Sequence, residues 1–213
     1  MSNQYVEYIP SRIYGLIAVP RSITPSLSDD DDFPHIFAGE FSPKAEVSLD
    51  NYELVKNIVS DFKNLKNILE IGVNRPENGQ LSFTNAFLGY KPKESVYLGI
   101  DILDKSYLDN KEQNISTIKT DSLKQEEVRG KMKEIGMDSI SILMIDGWHS
   151  INAVINDWRY ADLLTNDGVV IFHDTNFHPG PRFFLEGIDK SIFKVDKYCE
   201  SRYDWGVSVA RKI

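Results

Sequence analysis

The stretch Ile140-Ser141-Ile142-Leu143-Met144-Ile145-Asp146-Gly147-Trp148-His149-Ser150 decides the fold. Its first six residues are apolar but for one serine, too few for a helix, and read as a strand buried on both faces. An acid, a glycine, two ring-bearing residues and a serine then break the run abruptly. Working outward, the same alternation recurs. Apolar runs at Ile68 to Val73, Val96 to Ile102, Ile115 to Ile118 and Val169 to Phe172 are strands, and helical patterns lie between them around Leu81 to Leu88, Leu123 to Ile135 and Ile151 to Leu164. Leu49, Tyr52, Val55, Val59 and Phe62 recur at helical spacing, so a helix capped by Ser48 runs to about Leu65 before the first strand. Near the end, Ile192 to Tyr198 and Trp205 to Ala210, separated by the turn-like Glu200 to Asp204, read as a closing antiparallel pair. Continuous apolar strands alternating with helices imply an α/β fold: a doubly wound, mostly parallel, Rossmann-like sheet covered on both faces.

Residues 1–46 have a different character. Pro10, Pro20, Pro25 and Pro34 and the acid run Asp29 to Asp32 punctuate a segment with little periodicity, which reads as an irregular N-terminal arm before a domain over 47–213. The acid run reads as solvated and is given no function. A net charge of −8 opposes binding to phosphate backbones, so nucleic acid is not an expected partner. No apolar run approaches the roughly 20 residues that span a bilayer, and the short Ile13 to Val19 segment, broken by Pro20, is no secretory signal. The lone Cys199 reads as a buried small hydrophobe in a reducing compartment, and a cytoplasmic location is expected.

In an open sheet of this kind ligands bind beyond the carboxyl ends of the strands. There the chain places Glu70, Asp101, Asp121, Asp146 and Asp174, one acid per strand. Any one alone reads as a cap or turn residue, but five in register imply a polar crevice along one sheet edge. The first strand opens into Gly72-Val73-Asn74-Arg75-Pro76-Glu77-Asn78-Gly79, which lacks the G-x-G-x-x-G spacing that would seat a pyrophosphate on a helix N-terminus. A dinucleotide enzyme is thereby disfavoured. His149 and His173 are open to two readings, chemistry or polar plugs bonded to loop backbone, while Trp148 and Trp158 read as packing residues.

The strand-end pattern over residues 48 to 213, with Asp146-Gly147-Trp148-His149 and Phe172-His173-Asp174-Thr175 as its most specific parts, resembles the class I S-adenosylmethionine-dependent methyltransferases. Within them it is similar to the metal-dependent O-methyltransferases that act on sugars of natural products. The resemblance implies S-adenosylmethionine as cofactor, with Glu70 and Gly72 on the loop nearest its methionine part, Asp101 on the ribose hydroxyls and Asp121 toward adenine. Asp146 borders that cofactor and, with Asp174, would ligate a divalent cation such as Mg2+. His173, where some relatives carry a glutamate, becomes the third ligand, with Asn176 a nearby alternative, and His149 the catalytic base. The expected partner is a small hydroxylated acceptor, with Phe177 to Phe184 and the arm on its side of the crevice. Two other classes stay open: a non-catalytic binding or assembly module that keeps the fold, and a metal enzyme of another reaction type.

Overall fold

The structure is a computed structural model and describes residues 6–11, 15–20, 45–74 and 80–213. Seven strands form one sheet: β3 (Asn67–Ile71), β4 (Val96–Asp101), β5 (Ile115–Lys119), β6 (Ile140–Ile145), β7 (Leu164–His173), β8 (Phe193–Tyr198) and β9 (Val207–Lys212), in the order β5-β4-β3-β6-β7-β9-β8. The first five run parallel, and β9 lies antiparallel between β7 and β8. Strand order reverses between β3 and β6, the switch point at which such sheets open a crevice.

Side chains alternate across each strand, so each face has its own core. Leu69, Ile71, Leu98, Leu143, Ile145 and Phe172 pack on one face with α3 (Gln125–Glu134), α4 (Ile151–Trp158) and α5 (Pro179–Gly187). Ile68, Tyr97, Ile142, Met144 and Ile171 pack on the other with α1 (Leu49–Asp61) and α2 (Phe83–Tyr90). Ser48 caps α1 as expected, its hydroxyl accepting from the Asn51 N–H at 3.2 Å.

Three expectations need correction. The arm is not irregular throughout, because β1 (Val6–Ser11) and β2 (Gly15–Pro20) pair as an antiparallel hairpin. In a two-stranded ribbon every strand is an edge, which tolerates Pro10 and Pro20. The Asp29 to Asp32 run lies outside the described residues. The helix expected to reach Leu164 stops at Trp158 and continues as a 3-10 segment over Arg159–Leu163, while β7 begins at Leu164, five residues before its apolar run. Cys199 is half-buried rather than core, with a left-handed φ of 55° in the β8–β9 turn.

Candidate active site

The crevice at the switch point is a cavity of about 580 Å³. Gly72, Asp101, Asp121, Gly147 and Trp148 are among its lining residues, so four strand ends meet there. Gly72 ends β3 with φ 84°, and a Cβ on it would fall 1.9 Å from the Asp146 carbonyl oxygen. What approaches this glycine is therefore the backbone of the next strand end, and the bare residue lets the two ends close up. The Asp101 carboxylate accepts from the Val73 N–H at 3.0 Å and the Leu103 N–H at 2.7 Å, which ties the β3 and β4 loops together. Lys105 Nζ lies 3.6 Å from it. Two oxygens offer about four acceptor positions, so two remain for a diol. Asp121 accepts from Leu123 N–H at 2.9 Å, and its loop is anchored through the Ser122 carbonyl by Tyr160 Oη at 2.8 Å and Asn156 Nδ2 at 3.1 Å.

Trp148 departs from its expected packing role. It is 54% exposed and walls the cavity with Ile102 and Leu123, also exposed, whereas Trp158 is buried against Phe172, Phe184 and Phe193. Apolar walls beside carboxylate rims suit a flat ring carrying a polar sugar.

Glu70 does not line this cavity. Even-numbered residues of β3 face α1 and α2, and there Glu70 is buried, accepting from Thr84 Oγ1 at 2.9 Å and from the Tyr97 hydroxyl. Burial pushes its carboxyl up to about 8 against the pull of those two hydrogen bonds. Asp146 does not line it either. It turns toward the second half of the site.

That half is a buried cluster around Asp174, whose left-handed φ of 59° is uncommon outside glycine. His173 Nδ1 lies 2.9 Å from Asp146 Oδ1 and 3.4 Å from Asp174 Oδ1, and His149 Nε2 lies 2.6 Å from Asp174 Oδ2. Both histidines thus contact carboxylates. Burial raises the Asp146 carboxyl against the pull of His173. Burial alone would raise Asp174 too, but His173 and the His149 hydrogen bond outweigh it and leave that carboxyl below its ordinary range. Burial opposes charge on His173, yet Asp174 and Asp146 push it up to about 9. His149 is likewise raised, its bond to Asp174 prevailing over burial.

The oxygens of Asp146 and Asp174 and a nitrogen of His173 lie within 4.8 Å of one another. Two hard oxygens and one imidazole in a buried pocket fit a divalent cation. Asn176, the nearby alternative, commits its amide nitrogen elsewhere. Its buried amide donates to the carbonyls of Cys199, Ser201 and Asp204 at 2.7, 3.2 and 2.9 Å, and so staples the β8–β9 turn.

The staple presents Trp205, which was not anticipated. Its ring runs parallel to His178 at 5.9 Å between centroids, and His178 stacks on His149 at 3.8 Å. His178 falls in the loop expected on the acceptor side, but its stack was not legible, and Trp205 carries no local signal at all.

The fold is that of the class I methyltransferases. MycE, the methyltransferase of the mycinamycin biosynthetic pathway, solved with Mg, SAH and mycinamycin VI, is similar with a TM-score of 0.55 at 18% identity over 75% of this chain. The chain spans about half of MycE, 48% of its length. The O-methyltransferase TomG from Streptomyces achromogenes, involved in tomaymycin synthesis and solved with SAM, matches with a TM-score of 0.55 at 13% identity, over 78% of this chain and 81% of its own. A methyltransferase from Geobacter sulfurreducens matches at 0.55 and 16% identity, over 78% and 80%. No family model matches the sequence, and neither does any curated protein. Among the described residues no helix is long and apolar enough to cross a membrane.

Proposed function

We propose that this chain transfers a methyl group from S-adenosylmethionine to a hydroxyl of a small acceptor, with a divalent cation at Asp146, His173 and Asp174. The observation that carries the reading is one of placement. The segment Gly147-Trp148-His149-Ser150 contributes cavity wall on either side of His149, while His149 itself is bound to Asp174 in the adjoining cluster. A donor cavity and a base thus share one loop.

In this reading Asp101 accepts from the ribose hydroxyls, Asp121 lies toward adenine, and Trp148, Ile102 and Leu123 exclude water from its faces. Gly72 sets the path of the loop beside the methionine part, and Glu70 acts behind the wall, not on the cofactor. The sulfonium supplies an electrophilic methyl, and the cation lowers the pKa of an acceptor hydroxyl. His149 takes the acceptor proton, and Asp174 holds the ring in place for it. The catalytic acceleration expected of the protein is mostly positioning of acceptor oxygen against methyl carbon.

Calorimetric titration with S-adenosylhomocysteine, repeated on Asp101→Ala, tests the donor half. Binding that is lost in the variant supports it, and equal binding by both proteins removes Asp101 from the site. Radiolabelled methyl transfer to a panel of hydroxylated acceptors, with and without divalent cation, tests the rest. Tight binding of the homocysteine product with no turnover on any acceptor would favour a non-catalytic module.

A further inference from the structure

The cation site is richer in nitrogen than magnesium chemistry calls for. Ligands about 2.1 Å from one ion are separated by roughly 3.0 Å at octahedral and 3.4 Å at tetrahedral angles. The two contacts of His173 Nδ1, 2.9 Å to Asp146 Oδ1 and 3.4 Å to Asp174 Oδ1, lie close to the ends of that range, and the shorter is also a hydrogen bond. The opposite ring nitrogen, Nε2, is buried with no hydrogen-bond partner among the described residues, so Nδ1 is the ring nitrogen that faces the two carboxylates. His149 occupies Asp174 Oδ2, which leaves Oδ1 turned toward His173 and supports the carboxylate from behind.

A second trio, His149, Asp174 and His178, also has its donor atoms close together. It fails on geometry. The rings of His149 and His178 are stacked within 11° of parallel at 3.8 Å, and lone pairs lying in two parallel planes do not converge on one ion. The cluster therefore defines one donor set, two carboxylates and the His173 imidazole.

We infer that the cation held by Asp146, His173 and Asp174 is a first-row transition metal ligated by His173 Nδ1, and not magnesium. The inference rests on the metal-assisted reading above and sharpens it. Magnesium demands oxygen ligands in near-ideal octahedral array and gives up water reluctantly. Imidazole suits zinc, iron and their neighbours, and a glutamate in place of His173 would restore an all-oxygen set.

The test uses the full chain, stripped of metal and loaded with Mn2+, an ion that both oxygen and mixed sites accept. Pulsed EPR of the wild type is expected to show coupling to a directly bound imidazole nitrogen. That coupling disappears in His173→Glu with Mn2+ still bound, and the ratio of Zn2+ to Mg2+ affinity falls about tenfold or more in the same variant. Bound Mn2+ without nitrogen coupling in the wild type overturns the inference, as does a nitrogen signal that survives His173→Glu or an unchanged affinity ratio. Should His173→Glu misfold, His173→Asn serves for the EPR comparison and the wild-type spectrum alone remains decisive. A wild type that binds S-adenosylhomocysteine but neither Mn2+ nor Zn2+ refutes the inference and leaves the methyl-donor reading standing. Loss of the homocysteine compound's binding would instead count against the function itself.

Discussion

His149 Nε2 sits 2.6 Å from Asp174 Oδ2, so the ring nearest the cavity wall is held by the carboxylate that also faces His173. One carboxylate thereby holds both histidines of the buried cluster. If His149 removes the acceptor proton, His149→Ala lowers kcat by about 10²- to 10⁴-fold and leaves S-adenosylhomocysteine affinity unchanged. Single-turnover assays and calorimetry check this pair of outcomes. A parallel loss of cofactor affinity would place His149 on the donor instead.

Gly180, in the first turn of α5, couples that helix to the same loop. A Cβ there would lie 2.0 Å from the His149 carbonyl oxygen and 2.8 Å from the Ile151 nitrogen. Gly180→Ala must push the loop aside, and a shift of order 1 Å costs turnover about 10²-fold. Gly89→Ala, in α2 with nothing within 4 Å of the new methyl, is the control and gains about 0.5–1 kcal/mol in thermal unfolding. Undiminished turnover in Gly180→Ala would mean that the helix, not the loop, gives way.

Glu70 makes stability depend on pH. The unfolded chain loses this proton near 4.5, whereas the folded protein keeps it to about 8. Between those values the folded state binds more protons, so stability falls as pH rises. Gln at this position mimics the protonated acid and removes the dependence. Melting curves of Glu70→Gln relative to wild type are expected to improve steadily from about pH 5 to pH 8. A constant difference across that range would show that Glu70 is ionised in the fold.

Asn176 stabilises the β8–β9 turn through three carbonyl acceptors. Asn176→Ala leaves them without that donor and costs about 1–3 kcal/mol in denaturant unfolding. If His178, in the segment expected on the acceptor side, and the Trp205 stacked on it border the acceptor, KM for the acceptor rises while S-adenosylhomocysteine affinity holds. Equal weakening of both would tie the turn to the donor cavity.

Much of this architecture was legible in the residues because parallel strands covered on both faces read as unbroken apolar runs. Ile140 to Ile145 is buried at every position, as is its neighbour β3, and β4 beyond it is buried at all but its two ends. The acids ending those strands marked the crevice, and Asp101, Asp121, His149 and Asp174 stand along it or beside it. The exceptions have physical causes. Glu70 was misplaced because an acid in a strand says nothing of which face it occupies, and the parity of β3 turns it to α2. Residues 75–79, the rest of the loop after Gly72 that lacks the dinucleotide spacing, lie outside the described residues. The hairpin in the arm was hidden by prolines that edge strands accept. The Trp205 and His178 stack joins residues from two distant loops, and no local pattern announces such a meeting.

The insertion of β9 between β7 and β8 has a consequence for synthesis. The cavity is lined by residues from Ile71 to Ala153, all of which leave the ribosome well before the 199–206 turn. A nascent chain can thus complete the crevice while the turn carrying Trp205 is still untranslated. β8 cannot join the sheet until β9 arrives to bridge it to β7. The turn that carries Trp205 is therefore made after every residue that lines the cavity.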